Sequence, residues 1–443
     1  MLRLHVDKLL ASARRSNAFR TAGKLHSARE LKLARLPAGI GQMCEIRHAD
    51  GPPLLSEVVG FDGDFVQLLG YQEDQGLRPG LEVVARSRPL RIPVGAKLLG
   101  RVVNGIGDPI DGRGVLDGRE FHDVSSRSPD PLERQPIRTP LITGQRVIDG
   151  LLTIGRGQRV GLCAGSGVGK STLLGEIAKV AKADVNVIVL VGERGREVRP
   201  FLEDCLGEEG LRRSVVIVAT SNETPLMRVR SVNTAVAIAE WFRDQGLDVL
   251  FMMDSATRLA MAQREIGLLC GEPPGARGYP PSALQLLARS LERLGTAAVG
   301  SITGIITVLV DGDDLDEPVS DTMRSILDGH IVLSRKLAAK GHYPAVDVLS
   351  SVSRLFPDVT NVDHQQAAEQ VRAMLALHEE MSDLIQIGAY TAGSSPLVDR
   401  VIELMPDLKT FLQQSSGQPT PFEETIKALI ALGHQWPAAG RVA

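Results

Sequence analysis

Hydrophobic and polar positions follow three successive patterns along the chain, and each pattern predicts a different kind of structure. Between residues 36 and 93, short alternating segments are separated by Gly, Pro and Asp, which is typical of a small β-barrel. Between Val94 and about Phe356, apolar strands alternate with helices, which predicts a mostly parallel sheet covered on both faces. Beyond Pro357, apolar residues recur at helical spacing and predict a C-terminal helical domain.

The first residues of the chain have a pattern of their own. Leu2, Val6, Leu9 and Leu10 share one helical face, and basic residues lie mostly around it. Such a helix could lie on an anionic membrane surface, dock on a partner, or pack on its own domain. We therefore expect an α/β protein in four parts, with a basic amphipathic helix at 1–22, a β-barrel domain at 23–93, an α/β domain at 94–360 and a helical domain at 361–443.

The composition is that of an ordinary globular protein. Of the 443 residues, 43% are hydrophobic and 23% are charged. The net charge of −3 conceals a basic start, because residues 1–35 hold nine Lys or Arg against two acidic residues. The four cysteines are widely spaced, which argues against a zinc site or a disulfide framework, and the sequence contains neither a recognisable secretory signal nor a convincing membrane span. We expect a cytoplasmic protein.

The stretch AGSGVGKS, from Ala164 to Ser171, is typical of a loop that cradles phosphate groups. Glycines let backbone N–H groups turn towards the phosphates, Lys170 reaches their outer oxygens, and the hydroxyl of Ser171 coordinates Mg²⁺. Ala164 stands where the strict pattern has glycine, and it fits only if the backbone there needs no positive φ. An apolar strand before the loop and a helix after it favour this interpretation over a glycine-rich turn without a ligand. The predicted nucleotide-binding residues here are Gly165, Ser166, Gly167, Val168, Gly169, Lys170, Ser171 and Thr172.

Charged residues at the ends of other segments could supply the remaining parts of a phosphoryl-transfer site. One buried strand ends in Asp254, which is suited to hold the Mg²⁺ shell through water. A second strand leads to Glu193, which could polarise an attacking water, and to Arg194, which could meet the γ-phosphate. Arg354 is the candidate for a cation delivered from outside the site. The structural alternatives are a turn cap for Asp254, a surface ion pair for Glu193 and Arg194, and a structural arginine at 354.

Six separated blocks of sequence resemble the catalytic subunits of rotary ATPases and, in particular, the type III export ATPases of flagella and injectisomes. They agree in order and spacing over roughly residues 94–413, and they include TGQRVIDGLLTIGRGQRVGLCAGSGVGKS (143–171), MDSATRLAMAQREIGLLCGEPPGARGYPPS (253–282) and HYPAVDVLSSVSR (342–354). The resemblance of the barrel is weak. The family likeness implies a central RecA-like P-loop NTPase domain that hydrolyses ATP with Mg²⁺.

The resemblance also implies roles for residues at matching positions. Tyr343 would stack on adenine, Arg194 and Arg258 would lie near the γ-phosphate, and Arg354 would reach into the neighbouring subunit's site, so a homohexamer is expected. The implied catalytic residues are Glu193, Arg194, Lys170, Arg258 and, in trans, Arg354, and the implied metal ligands are Ser171 and, through water, Asp254.

Partners are implied by the same resemblance. The loop 271–281 would line a central opening that holds a coiled-coil stalk protein, and the N-terminal helix would bind a stator-like regulatory protein and contact the membrane peripherally. Export-gate membrane proteins, secreted substrates and their chaperones are further expected partners at the inner face of the cytoplasmic membrane. Nucleic acid is not expected, because residues 36–93 lack interleaved basic and aromatic positions.

Two departures from the family pattern bear on these expectations. After Tyr279-Pro280-Pro281 the family continues with Phe and Pro, whereas this chain reads SALQLLARSLERLG. The region after Phe411 is short, so we expect no aromatic contacts to adenine from that side.

The leading hypothesis is ATP hydrolysis that energises unfolding, chaperone release and delivery of proteins through a flagellar type III apparatus. The alternatives are an injectisome ATPase and the catalytic subunit of a proton-coupled rotary ATPase. A noncatalytic scaffold subunit is disfavoured, because it would not need Glu193, Arg194 and Asp254.

Overall fold

The computed structural model describes residues 21–48, 51–73, 76–86, 89–116, 120–310 and 317–436. The predicted N-terminal amphipathic helix at 1–22 therefore lies almost wholly outside the described residues, and so does the segment 311–316. Within the described ranges, no helix is both long enough and apolar enough to cross a membrane.

Six strands close into a barrel at the start of the described chain, in the spatial order β1-β2-β5-β4-β3-β6. Strands β3 to β6 coincide with the predicted alternating segments, but β1 and β2 come before residue 36. Part of the basic start of the chain thus belongs to the barrel, since these two strands bury Leu25 and Ala34 while Arg35 stays exposed. The barrel strands are β1 (Ala22–Ser27), β2 (Lys32–Arg35), β3 (Met43–Arg47), β4 (Leu54–Asp62), β5 (Phe65–Gly70) and β6 (Glu82–Ala85).

A nine-stranded sheet forms the centre of the molecule, in the order β19-β18-β12-β17-β15-β13-β14-β8 with β16 beside β17. Neighbouring strands from β18 to β8 run parallel, whereas β19 and β16 run antiparallel to their neighbours. All nine residues of β13 are buried, as expected of a strand with helices on both faces. The strands are β8 (Val102–Val103), β12 (Arg159–Ala164), β13 (Val185–Glu193), β14 (Ser214–Thr220), β15 (Asp248–Asp254), β16 (Gly295–Thr296), β17 (Ser301–Leu309), β18 (Gly329–Leu333) and β19 (Val346–Ser353).

Two small two-stranded sheets complete the strand pairings that the structure describes. One joins β7 (Arg91–Val94) to β9 (Glu120–Asp123), and the other joins β10 (Pro140–Leu141) to β11 (Ile154–Gly155). Both pairs are antiparallel.

Helices cover both faces of the central sheet through two large apolar clusters. One of these helices, Pro225–Asp244, has Thr224 as its N-cap, and the Thr224 hydroxyl accepts from the amide of Met227 at 3.2 Å. Gly246 follows the end of this helix and has a φ of 84°. The helices are α1 (Arg146–Leu151), α2 (Lys170–Val180), α3 (Gly195–Pro200, continued by a π-helical segment Phe201–Leu206), α4 (Gly207–Arg212), α5 (Pro225–Asp244), α6 (Ala256–Leu269), α7 (Pro281–Glu292), α8 (Pro318–Ile326), α9 (Arg335–Ala339), α10 (Phe356–Val359), α11 (Val362–Gln386), α12 (Pro396–Leu412) and α13 (Phe422–Gly433).

The three C-terminal helices pack on the same side of the sheet as α1 and α2. Gly150 of α1 makes their close approach possible, because a Cβ at this position would lie 3.0 Å from the ring of Phe411 and 3.6 Å from Leu429. The segment that joins α12 to α13 consequently crosses the molecule close to the start of α2.

Candidate functional site

The predicted phosphate loop lies between β12 and α2. Ala164 is the last residue of β12 and does not have a positive φ, so alanine is accommodated there without backbone strain. Gly167 and Gly169 have φ of 78° and 88°, in the left-handed region that favours glycine. Lys170 is the first residue of α2, so the backbone N–H groups of its first turn face the loop as an anion site would require.

Lys170 contacts two carboxylates that come from neighbouring strands. Its Nζ donates to Oδ1 of Asp254 at 2.5 Å, and it lies 4.0 Å from Oε1 of Glu193. Asp254 is 4% exposed and also accepts from the hydroxyl of Thr307 at 2.7 Å. Because β12, β13 and β15 run parallel, their carboxyl ends meet at one edge of the sheet and bring these three charged groups together.

Glu193 is buried next to charges of both signs. Its side chain is 11% exposed, and its Oε1 accepts no hydrogen bond from the residues that the structure describes. Burial, and then the charge of Asp254, raise the pKa of Glu193 to about 7, although Lys170 and Arg258 act in the opposite direction. A carboxyl group with this pKa exists in both protonation states near neutral pH, so it can exchange a proton with a water molecule.

Arginines predicted for the site take up different places. Arg258, at the start of α6, has its Nε 3.3 Å from Oε1 of Glu193, and its guanidinium donates to the carbonyl of Gly192. Arg194 points into solvent, with a side chain that is 62% exposed and paired to Glu197 at 3.6 Å. The structure thus brings Arg258, and not Arg194, to the carboxylate cluster.

Arg354 also lies outside the cluster within this chain. It follows β19 at the edge of the sheet, is exposed, and donates from Nη2 to the carbonyl oxygen of Arg324 at 3.1 Å. In the described part of the chain it makes no ion pair or hydrogen bond with Lys170, Glu193 or Asp254.

Oxygen atoms at the start of α2 and at the end of β15 have the chemistry that Mg²⁺ requires. The hydroxyl of Ser171 lies in the exposed first turn of α2, and the carboxylates of Asp254 and Glu193 lie on either side of Lys170. The buried Oε1 of Glu193 has no hydrogen-bond partner among the described residues, so it can accept from a further ligand. Mg²⁺ prefers oxygen ligands and commonly keeps several waters, and this donor set fits it.

A cavity of about 740 Å³ opens beside the phosphate loop. Gly167, Gly169, Thr172 and Tyr343 line it, and the ring of Tyr343 lies 3.5 Å from the position of a Cβ on Gly169. Tyr343 is 45% exposed, so one face of the ring is available to a flat ligand. The volume is within the range of small-molecule and cofactor sites.

Several residues at this site were not identified from the sequence. Gln145 and Glu176 line the cavity, as does the segment 413–416, which supplies no aromatic side chain. Arg335 lies against the loop, since a Cβ on Gly165 would be 2.4 Å from its Nε. No local pattern marks these positions: Glu176 lies on α2 itself, and Gln145, Arg335 and the segment 413–416 reach the site through the packing of other segments.

Comparisons with known proteins show what the chain is similar to. The ATP synthase alpha/beta family, nucleotide-binding domain, matches residues 144–353, and the T3SS EscN ATPase C-terminal domain matches residues 360–431. The chain is 50% identical over 397 residues to the flagellum-specific ATP synthase of Bacillus subtilis (strain 168), which covers 89% of this chain and 91% of that protein. It is 47% identical over 403 residues to the type 3 secretion system ATPase of Xanthomonas euvesicatoria, with 91% of both chains covered.

Solved structures of the same kind resemble the fold. The assembled ATPase EscN from the enteropathogenic E. coli type III secretion system is 43% identical with a TM-score of 0.88, over 93% of this chain and 100% of that one. The same ATPase in complex with its central stalk EscO gives a TM-score of 0.86 with the same coverage.

Proposed function

The chain belongs to the type III export ATPases within the ATP synthase alpha/beta family, and from this premise we propose that it hydrolyses Mg·ATP to energise protein export through a flagellar apparatus. The observation that carries the proposal is the cluster in which Lys170 lies between the buried carboxylates of Glu193 and Asp254, at the end of a phosphate loop. Relatives named flagellum-specific ATP synthase support the flagellar assignment, and relatives named type 3 secretion system ATPase keep an injectisome as the second candidate.

A catalytic subunit of a proton-coupled rotary ATPase is the weakest of the three candidates. Helices α11 and α12, and all but the last two residues of α13, fall within the region that matches the C-terminal domain of type III secretion ATPases. That region supports an export ATPase specifically, whereas the nucleotide-binding domain alone is common to all three candidates.

In the proposed reaction the loop from Gly165 to Gly169 and the first turn of α2 bind the phosphates, and Lys170 neutralises their outer oxygens. The adenine occupies the cavity beside Tyr343. Glu193 accepts hydrogen bonds from the attacking water and takes up its proton, since its pKa of about 7 lets it do so near neutral pH. Mg²⁺, held by Ser171 and through water by Asp254, would supply charge neutralisation on the phosphate oxygens.

A second proposed element is Arg354 acting on the nucleotide of a neighbouring subunit in a homohexamer. Its exposure at the edge of the sheet, directly after a strand that carries none of the residues of the carboxylate cluster, supports a role at a site shared between chains. The similar ATPase EscN forms a complex with its central stalk EscO, which supports a stalk protein as partner here as well. We further propose the cytoplasmic face of the membrane as the place of action, with a stator-like protein, export-gate proteins, secreted substrates and chaperones as partners.

The role of Glu193 is tested by Glu193→Gln, which keeps the size of the side chain but cannot take up a proton. Equilibrium binding of Mg·ATP should stay close to wild type, while the steady-state rate of phosphate release should fall about 10²- to 10⁴-fold. Glu203→Gln is the matched control, because Glu203 is 60% exposed and pairs with Arg199 at 2.7 Å. Sustained hydrolysis by Glu193→Gln would remove this residue from the mechanism.

The shared site is tested by mixing two inactive variants. Arg354→Ala chains keep the carboxylate of Glu193, and Glu193→Gln chains keep the arginine, so a mixed ring contains some complete sites. Partial recovery of ATP hydrolysis is expected on mixing. If native mass spectrometry confirms mixed rings and activity does not return, Arg354 does not act in trans.

A further inference from the structure

The segment 413–417, which we call the strap, is the first part of the connection from α12 to α13 and contributes to the lining of the cavity beside the phosphate loop. Residues 413–416 line the cavity. Of the strap residues, only Gln414 is buried, whereas Gln413, Ser415, Ser416 and Gly417 are exposed. With so little apolar burial, the position of the strap depends on polar contacts.

Two of those contacts connect the strap to Tyr343, which lines the cavity, and to Gly144, which precedes the lining residue Gln145. The amide N–H of Gln414 donates to the carbonyl of Tyr343 at 2.9 Å, and its side-chain Nε2 donates to the carbonyl of Gly144 at 2.7 Å. The strap and the segment that carries Tyr343 are therefore held together as one surface.

Arg146 of α1 also donates to Gln413 and Gln414 of the strap, and a further contact joins the strap to the helix of the phosphate loop. Glu176 of α2 is 7% exposed, and both of its carboxylate oxygens accept from the strap, Oε1 from the hydroxyl of Ser416 at 3.1 Å and Oε2 from the amide N–H of Gly417 at 2.8 Å. Lys179 lies 3.6 Å from the same carboxylate and balances its charge. Glu176 stands six residues after Lys170, or about 9 Å along the helix axis, so it is too far from the cluster to take part in the chemistry.

We propose that Glu176 is a positioning residue that latches the strap to the phosphate-loop helix, and that release of this latch opens the cavity for nucleotide exchange. The proposal rests on the proposed function, because it takes the base and ribose of the nucleotide to occupy the cavity. The carboxylate fixes the strap against α2 while the phosphates are bound on that same helix. The strap therefore controls how long a nucleoside diphosphate stays, without contributing to the reaction at the phosphates.

The latch is tested by comparing two ligands that share phosphate groups but differ in the base. For Glu176→Ala, the dissociation rate of Mg·ADP, measured by stopped flow with a ribose-labelled fluorescent analogue, should rise about ten-fold, which corresponds to about 1.4 kcal/mol. Inorganic tripolyphosphate, which reaches the phosphate loop but not the strap, should bind this variant and wild type equally by calorimetry. Ser416→Ala should show the same pattern to a smaller extent, since it removes one of the two bonds from an exposed position.

Glu176→Gln and Lys179→Ala are the matched controls. The glutamine amide can still accept from the N–H of Gly417 and pair with the hydroxyl of Ser416, so this variant should stay within about two-fold of wild type. Lys179→Ala removes the neighbouring charge and leaves both strap bonds in place.

Each outcome bears on a different claim. Unchanged ADP dissociation in Glu176→Ala, with wild type binding ADP normally, overturns the latch and leaves the proposed function intact. Equal weakening of tripolyphosphate and ADP also overturns it, because Glu176 would then only stabilise α2. Absence of ADP binding by the wild-type protein would instead overturn the proposed function itself.

Discussion

A buried ion pair between the barrel and the central domain gives a sharp test of what holds the two together. Glu57 of β4 accepts from Nε of Arg230 at 2.8 Å, from Nη2 of the same guanidinium, and from the hydroxyl of Tyr71 at 2.5 Å. Glu57 is 3% exposed and Tyr71 is fully buried, while Arg230 comes from α5. Burial opposes the charge of Arg230, but the carboxylate of Glu57 outweighs it and raises the pKa of the guanidinium, so Arg230 stays charged.

Glu57→Leu should therefore be costly. It leaves a buried guanidinium and a buried tyrosine hydroxyl without their acceptor, and breaking a buried pair in this way costs about 3–5 kcal/mol. The triple variant Glu57→Leu, Arg230→Met, Tyr71→Phe removes every unpaired polar group. Since apolar replacement of a whole buried polar cluster is often neutral, this variant should come within about 1 kcal/mol of wild type.

The measurement is the free energy of unfolding from denaturant titration, followed by the fluorescence of Trp241, which lies on the same helix as Arg230. Replacing the other tryptophan, Trp436, by Phe makes the signal specific. The control is Glu203→Leu, which breaks an exposed ion pair and should cost at most about 1 kcal/mol. If Glu57→Leu costs no more than this control, the buried pair does not hold the barrel to the central domain.

Three further results are expected. The pKa of Glu193 is raised to about 7, mainly by burial, so kcat/KM for ATP should rise with pH through a midpoint at about 7. A midpoint near the ordinary glutamate pKa of about 4.3 would exclude this residue as the base. Burial raises the pKa of Asp149 to about 6, so its protonated form favours the folded chain, and this contribution to stability is lost as the pH rises from about 4 to about 6. In denaturant titrations, Asp149→Asn should lack the corresponding fall in the free energy of unfolding. If the free energy of unfolding of this variant falls with pH as steeply as that of wild type, the assignment is wrong. Gly175→Ala should destabilise the folded protein by about 1–3 kcal/mol, because a Cβ there would lie 2.5 Å from the carbonyl oxygen of Cys205. Gly195→Ala is the control and should change stability by about 0.5 kcal/mol or less, because its Cβ would meet nothing within 4 Å. Equal shifts of the melting temperature in the two variants would refute the packing argument.

Local sequence signals predicted the parts of the site that lie at strand ends. The strand, loop and helix around Lys170 could be predicted from glycine spacing and apolar periodicity, because those determinants lie within one short stretch. The meeting of Glu193 and Asp254 with Lys170 followed from parallel strands, since their carboxyl ends share one edge. A general rule of sheet topology was therefore sufficient to place three residues that are distant in sequence.

Other parts could not be predicted because their positions depend on tertiary packing that no local pattern encodes. Strands β1 and β2 contain Lys, His and Arg, and their apolar positions are too few to show alternation until the closed barrel buries them. The strap is polar, and its place beside the phosphate loop depends on the docking of α12 and α13 against α1. No sequence signal sets Glu176 apart from other polar positions of α2, and its two bonds to the strap distinguish it.

Arg194 and Arg354 show why contacts within one chain do not decide the role of a residue that acts on another. Both are exposed, and each makes a modest contact of its own, with Glu197 and with the carbonyl of Arg324. A surface ion pair is weak because solvent screens it, so the pairing of Arg194 would not prevent a move towards a phosphate, and neither would the side-chain hydrogen bond that Arg354 makes with Arg324. The difference between them is position, since Arg194 follows the strand that carries Glu193, whereas Arg354 follows the edge strand β19. Mixing inactive chains separates the two cases, because an arginine that serves its own site cannot be supplied by a neighbour.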